Sequence, residues 1–174
     1  MSGMKPKVKP VKLICGILYN QTIDLAAIEF LLKSSFGPIE NKSPMFDFDN
    51  SDYYMKEMGN DLRKVFYSFK KLIEPDSLAD IKNKTISIED KYSTDNKRSI
   101  NLDPGYLEES KLVLASTKNF SHRIYLKNNI WAEVTLTYTN NNFQTHPWTY
   151  PDYATELAFK FLMEAREIYR NQLF

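Results

Sequence analysis

The carboxyl-terminal segment constrains the fold most. After Pro151, residues Ala154, Leu157, Ala158, Phe161, Leu162, Ala165, Ile168 and Tyr169 recur at helical spacing and form one unbroken apolar stripe. A helix with a single apolar face is stable only when that face is buried against another layer. Most segments before it read as strands, so the stripe is expected to dock on a sheet, which makes the chain α+β.

The remaining elements follow from pattern and punctuation. Lys12 to Tyr19 is a compact apolar run and reads as a buried first strand. Thr22 offers an N-cap, an apolar helix runs from Ile23 to about Ser35, and Gly37-Pro38 stops it. Ile39 to Gly59 is aromatic, acidic and irregular, and reads as a strand followed by a loop. Val65, Tyr67 and Phe69 alternate with Lys64, Phe66, Ser68 and Lys70, which suits a strand over Leu62 to Leu72. Pro75-Asp76 opens a second helix carrying Leu78, Ile81, Thr85, Ile88 and Tyr92 at helical spacing. Arg98 to Asp103 reads as a short strand ending in the turn Asp103-Pro104-Gly105, and Lys111 to Lys118 as another strand. His122 to Leu126 and Ile130 to Tyr138 flank Asn128-Asn129, which tolerate the positive φ of a two-residue hairpin turn.

This order, β-α-β-β-α-β-β-β-β-α, predicts an antiparallel or mixed sheet with about three helices packed on one face, in the manner of an enlarged ferredoxin-like core. Residues 1–10 read as a flexible basic leader and residues 11–174 as a single α+β domain.

Composition removes several function classes. With 23 basic and 22 acidic side chains the formal net charge is +1, so no whole-molecule field draws the chain to nucleic acid or to a membrane. One cysteine, Cys15, forbids an internal disulfide and is expected in the core. No apolar run approaches the roughly 18 residues of a membrane span, and a cytoplasmic location is expected. Only five glycines are present, and neither a phosphate-cradling loop nor a dinucleotide-binding turn can be written with them. Two histidines and one cysteine are too few for a usual structural zinc site, and there is no serine elbow.

The hairpin supports a sharper expectation. A two-residue turn at Asn128-Asn129 sets Leu126 opposite Trp131, Ile124 opposite Glu133 and His122 opposite Thr135, all on one polar face. Tyr125, Ile130, Ala132, Val134, Leu136 and Tyr138 then form the core face, with Arg123 at its edge. His122 and Glu133 become diagonal neighbours, and a carboxylate beside an imidazole can tune a general base. Asn101, Asp103, Ser116 and Lys118 alternate onto nearby strands and can converge on the same face. Asp103 joins His122 and Glu133 as a catalytic candidate. Asn101, Ser116, Lys118, Arg123 and Trp131 are ligand-binding candidates, with Lys118 and Arg123 suited to an anion. The plainer alternatives are a solvated sheet face for His122 and Glu133, and turn chemistry for Asp103-Pro104-Gly105.

Several phrases together resemble a known family: Asn101-Leu-Asp-Pro-Gly-Tyr-Leu107, Lys111-Leu-Val-Leu-Ala-Ser-Thr-Lys118, His122-Arg-Ile-Tyr-Leu126, Ala132-Glu-Val-Thr-Leu136 and Trp148-Thr-Tyr-Pro-Asp-Tyr153, with Phe36-Gly-Pro38 and Tyr53-Tyr-Met-Lys-Glu-Met-Gly59. On these the chain resembles the bacterial domain of unknown function 4416 family over nearly everything after the leader. That family has no established activity, so the resemblance supplies no catalytic residues. The residues themselves favour either a ligand-binding domain or an enzyme for a small anionic ligand of phosphorylated or nucleotide-like kind. The alternatives are a protein-interaction module using Phe46 to Tyr54 or Trp148 to Tyr153, and an RNA-binding sheet around Lys64, Phe66, Lys70 and Lys71.

Overall fold

The computed structural model describes residues 5–49 and 51–174. In chain order the first half comprises β1 (Val11–Asn20), α1 (Leu25–Phe36), β2 (Ile39–Lys42), β3 (Phe46–Asp47), α2 (Asp52–Met58), β4 (Leu62–Ile73) and α3 (Leu78–Asp90). The second half comprises β5 (Ser93–Thr94), β6 (Lys97–Arg98), β7 (Ile100–Leu107), β8 (Lys111–Ser116), β9 (Arg123–Lys127), β10 (Ile130–Thr139), β11 (Asn142–Thr145) and α4 (Glu156–Leu173). One antiparallel sheet runs β11-β10-β8-β7-β1-β4-β2, with β3 added to β4 and β9 to β10. The run β1-α1-β2-β4-α3-β7 and its spatial order β7-β1-β4-β2 form the split β-α-β arrangement of a ferredoxin-like core. Strands β8 to β11 enlarge it on the β7 side. Residues 1–4 of the expected leader lie outside the described residues, and residues 5–10 carry no regular secondary structure.

The helices cover both faces of the sheet, not one. Leu13, Cys15, Ile17 and Tyr19 of β1 pack with Ile28 and Leu32 of α1 and Ile81 and Ile88 of α3. On the opposite face Ile14 packs with Phe161 and Leu162 of α4, and Leu18 with Met58 of α2. Successive side chains of a strand point to opposite faces, so the unbroken apolar run of β1 requires cover on both.

Local departures from the sequence reading have local causes. Helix α1 begins at Leu25 because Asp24, rather than Thr22, is its N-cap and accepts from Ala26 N at 3.0 Å. Part of the segment read as a loop is α2, a short helix ended by Gly59 at φ 85°. The hairpin turn forms as expected, with Asn128 and Asn129 at φ 51° and 61°. A register shift just beyond it moves the pairing: Tyr125 faces Trp131, Ile124 faces Ala132, and Arg123 faces Glu133. This overturns the expected Leu126–Trp131, Ile124–Glu133 and His122–Thr135 pairs. A second shift at Thr135 sends Leu136 to the α4 face, while Ile130, Ala132 and Val134 pack on the α3 side. Tyr125 is exposed instead of core-facing. Asn140-Asn141 makes another positive-φ turn and produces β11, which the pattern did not reveal. Among the described residues no helix is long and apolar enough to cross a membrane.

The correction with most consequence concerns Asp103-Pro104-Gly105. These residues are not a turn: β7 runs straight through them, pairing Asp103, Pro104 and Gly105 with Gly16, Cys15 and Ile14 of β1. On its other side β7 pairs with β8 only from Gly105 to Leu107. The sheet therefore splits at Pro104, where β8 leaves to follow β10. Proline fits there because no neighbouring strand asks for its missing N–H.

Candidate functional site

The split leaves β7 backbone groups without a strand partner, and buried backbone groups must be satisfied. Two α3 side chains do this for Leu102. Glu89 Oε1 accepts from Leu102 N at 2.6 Å, and Lys82 Nζ donates to Leu102 O at 2.8 Å. Glu89 in turn receives Arg98 Nη1 at 3.3 Å, and Arg98 clamps Glu57 of α2 through Nε at 2.8 Å and Nη2 at 2.9 Å. Burial pushes the Glu89 carboxyl above its ordinary value, and the neighbouring Lys82, Leu102 N–H and Arg98 offset only part of this.

A two-lobed cleft opens along the split. The first lobe, of about 310 Å³, is lined by Lys82, Glu89, Arg98, Asn101 and Asp103 from one side and by Ser116, Lys118 and Glu133 from the other. The second lobe, of about 300 Å³, adds Phe48, Lys64, Asp152 and Tyr153. Tyr53, Tyr54, Asp103, Lys118 and Tyr150 line both, so Asp103 stands at the junction.

Charges on the floor are matched internally. Asp103 lies 3.6 Å from Lys64 Nζ and 3.9 Å from Lys82 Nζ. Burial pushes its carboxyl up, but the two lysines outweigh that and hold it below its ordinary value. Lys64, only 4% exposed, also pairs with Asp152. Burial alone would lower the Lys64 ammonium, yet Asp152 and Asp103 raise it, so it is a fixed cation and not a nucleophile. Burial raises the hydroxyls of Tyr54, Tyr150 and Tyr153, which keeps them as donors. In the first lobe two groups are not fully matched. Lys118 makes no ion pair among the described residues, its Nζ resting 4.6 Å from the centre of the Tyr53 ring. Asn101 Oδ1 accepts from Arg98 at 2.9 Å, and its buried amide nitrogen sits beside the Asp103 carboxylate and helps hold it below its ordinary value, without reaching full hydrogen-bond geometry to any described residue.

Of the residues nominated from sequence, Asn101, Asp103, Ser116, Lys118 and Glu133 share the first lobe, whereas His122, Arg123 and Trp131 do not line it. His122 lies behind Glu133, its Nε2 3.0 Å from Glu133 Oε2 and its ring stacked 4.9 Å from Trp148. Trp131 packs edge-on against Tyr125 at 5.2 Å. Arg123 is occupied within the fold: Nε donates to Glu133 at 2.9 Å, Nη1 to Ser116 Oγ at 3.1 Å and Lys118 O at 2.9 Å, and Nη2 to Tyr150 OH at 2.9 Å. These bonds fix its guanidinium in the cleft wall. Glu133 is buried against His122, Arg123 and Thr135, which rules out a solvated sheet face.

Lys82, Glu89 and Arg98 were not expected in a site, and Lys64, Tyr150, Asp152 and Tyr153 were expected only in the RNA-binding and protein-contacting alternatives. A usable signal existed for two of them, since Lys82 and Glu89 sit seven residues apart within the buried stripe of α3, where charged side chains are out of place. Lys64 was read among the basic residues of an RNA-binding strand, but it is buried between two aspartates. Among the described residues no group of three His, Cys, Asp or Glu side chains can hold a metal ion.

A family model matches residues 9–169. The chain belongs to the family Domain of unknown function (DUF4416). Every residue that lines the cleft falls inside the matched span, so the site belongs to the family's part of the chain. No curated protein and no solved structure matches the chain.

Proposed function

We propose that the chain is a cytoplasmic domain that binds, and acts on, a small anionic ligand of phosphorylated or nucleotide-like kind in the first lobe. The supporting observation is the imbalance of unused hydrogen-bonding groups. The carboxylates of the first lobe already have partners: Asp103 with Lys64 and Lys82, Glu89 with Arg98 and Leu102 N–H, Glu133 with Arg123, His122 and Thr135. The groups left over in that lobe are donors, the Lys118 ammonium, which has no ion pair, and the Asn101 amide nitrogen, which falls short of a full hydrogen bond to Asp103. A ligand that satisfies them brings acceptors and negative charge. Of the expected acid–base pair, Glu133 lines the first lobe, and His122 reaches it only through its 3.0 Å contact with Glu133. Nucleic acid and membranes are not the partner in this reading, because the net charge is +1 and most cations of the cleft are paired internally.

A thermal-shift series with inorganic phosphate, ribose 5-phosphate and nucleoside monophosphates tests this. At least one probe is expected to raise the melting temperature of the natural protein, with a smaller rise in Lys118→Ala and Asn101→Asp. No rise with any probe, or an undiminished rise in Lys118→Ala, would sink the reading.

A protein-interaction module is the second reading. In the expected segments Phe48 and Tyr153 are buried while Tyr53 and Tyr150 are 55% and 43% exposed, and β9 adds Ile124 and Tyr125 at 73% and 55%. Self-association abolished by Ile124→Lys and untouched by cleft variants would favour it.

A further inference from the structure

The second lobe differs in character from the first, and the difference bears on which ligand the proposed function concerns. Its walls are aromatic: Phe48, Tyr53, Tyr54, Tyr150 and Tyr153. Phe48 meets Tyr54 edge to face at 5.9 Å, and Tyr54 meets Tyr53 likewise at 5.2 Å. Such walls suit a planar ring, and a volume of about 300 Å³ suits one ring system.

The floor of this lobe contains a hydrogen-bonding group that the fold itself does not use. Tyr153 is 1% exposed, and its hydroxyl has no partner among the described residues. The hydroxyl lies beside Lys64 directly over Gly16 of β1, where a Cβ would stand 2.7 Å from the Tyr153 oxygen and 3.1 Å from Lys64 Cε. The one residue of β1 without a side chain thus lies where the hydroxyl needs room. A phenylalanine would pack here without the penalty of a buried, unpaired donor, so folding alone does not account for the hydroxyl. Near it Asp152, held by Lys64, carries the one buried carboxylate oxygen among the described residues that has no hydrogen-bond partner, Oδ2, and supplies an acceptor. Donor and acceptor side by side, between aromatic walls, match the edge of a nucleobase, which presents both kinds of group in one plane.

We propose that the second lobe is a base subsite, taking the heterocycle of a nucleoside monophosphate with its edge toward Tyr153 and Asp152. The ribose passes Asp103, and the phosphate meets Lys118 and Asn101 in the first lobe. This rests on the ligand-binding reading above and narrows it to one class of ligand. Burial raises the Tyr153 hydroxyl well above its ordinary value, so it acts as a donor throughout the neutral range.

Isothermal titration of the full chain with adenosine, guanosine, cytidine and uridine monophosphates, and with ribose 5-phosphate, tests the subsite. At least one nucleotide is expected to bind more tightly than ribose 5-phosphate. Tyr153→Phe should weaken that nucleotide roughly three- to tenfold and leave ribose 5-phosphate unchanged. Its melting temperature should equal or exceed that of the natural protein, because the hydroxyl makes no bond within the fold. Nucleotides that bind no better than ribose 5-phosphate, or an unchanged nucleotide affinity in Tyr153→Phe, would overturn the base subsite and leave the anion site standing. No binding by any of the five probes would overturn both.

Discussion

Arg123 and Glu133 stand directly opposite each other across the β9–β10 pair, with Arg123 Nε donating to Glu133 Oε2 at 2.9 Å. Their side chains are 5% and 2% exposed. The same guanidinium reaches Ser116, the Lys118 carbonyl and the Tyr150 hydroxyl, so one buried ion pair sets the spacing of several groups along the cleft wall.

Removing that guanidinium should leave the Glu133 charge buried without its main partner. Arg123→Ala is expected to lose about 3 kcal/mol or more in urea unfolding. Arg123→Lys should lose less, because it keeps the charge, but it should still weaken ligand binding, because an ammonium cannot reproduce the planar fork that joins Ser116 and Tyr150. Full recovery of binding in Arg123→Lys would show that charge alone matters.

Gly105 is constrained by packing and not by backbone conformation. A Cβ there would stand 2.4 Å from Val113 O and 2.6 Å from Leu114 Cδ2, at the last point where β7 and β8 still pair. Gly105→Ala is therefore expected to cost about 1–3 kcal/mol, seen as a lower melting temperature. A turn glycine without a positive φ would have tolerated alanine, so an unchanged melting temperature would contradict the continuous strand.

Helix α2 brings Tyr53 and Tyr54 to the cleft and is tied down by the Glu57–Arg98 pair. Arg98 holds the Glu57 carboxyl below its ordinary value of 4.5. The pair is partly exposed, so Glu57→Gln should speed amide exchange in Asp52–Met58 by no more than about fivefold while β1 and β4 stay unchanged. Equal acceleration in the core strands would mean global destabilisation and remove α2's separate role.

The floor charges predict the pH dependence of stability. The Asp103 carboxyl is held below 3.8, its ordinary value, so its contribution is complete above that pH and is lost as pH falls through the lower folded value. Lys64 is raised above 10.5, so its contribution is complete below that pH and is lost as pH rises through the higher folded value. Glu89 works in the opposite sense to Asp103: the penalty of its buried charge, present at neutral pH, is relieved as pH falls through its raised value. Urea midpoints near pH 7 and near pH 3 should show Asp103→Asn less stable than the natural protein at about pH 7 and closer to it at about pH 3. A difference that does not shrink on acidification would refute the Asp103 assignment.

Elements whose signal lies within a few residues were legible in the amino-acid pattern. The apolar stripe of α4, the alternation in β4, the buried run of β1 and the Asn128-Asn129 turn each depend on local periodicity or local backbone preference. The nominations of Asn101, Asp103, Ser116, Lys118 and Glu133 rested on alternation along strands, and the structure places all five around one lobe. Short elements such as α2 and β11 escaped because seven and four residues carry too little periodicity to stand out from a loop.

What those strands enclose depends on long-range packing. Pairing Asp103-Pro104-Gly105 with β1 depends on residues nearly ninety positions away, and that long-range contact converts an apparent turn into the lip of the split in the sheet. The register shift beside the hairpin, likewise invisible in the pattern, sets Arg123 against Glu133 and leaves His122 behind it. Lys64, Lys82, Glu89, Asp152 and Tyr153 come from three separate stretches of the chain, and Lys82 and Glu89 join the site because the splayed strands left the Leu102 backbone groups in need of partners. A local pattern records which face of a strand is apolar. Which distant charge meets which is settled by packing, because burial makes an unmatched charge too costly to keep.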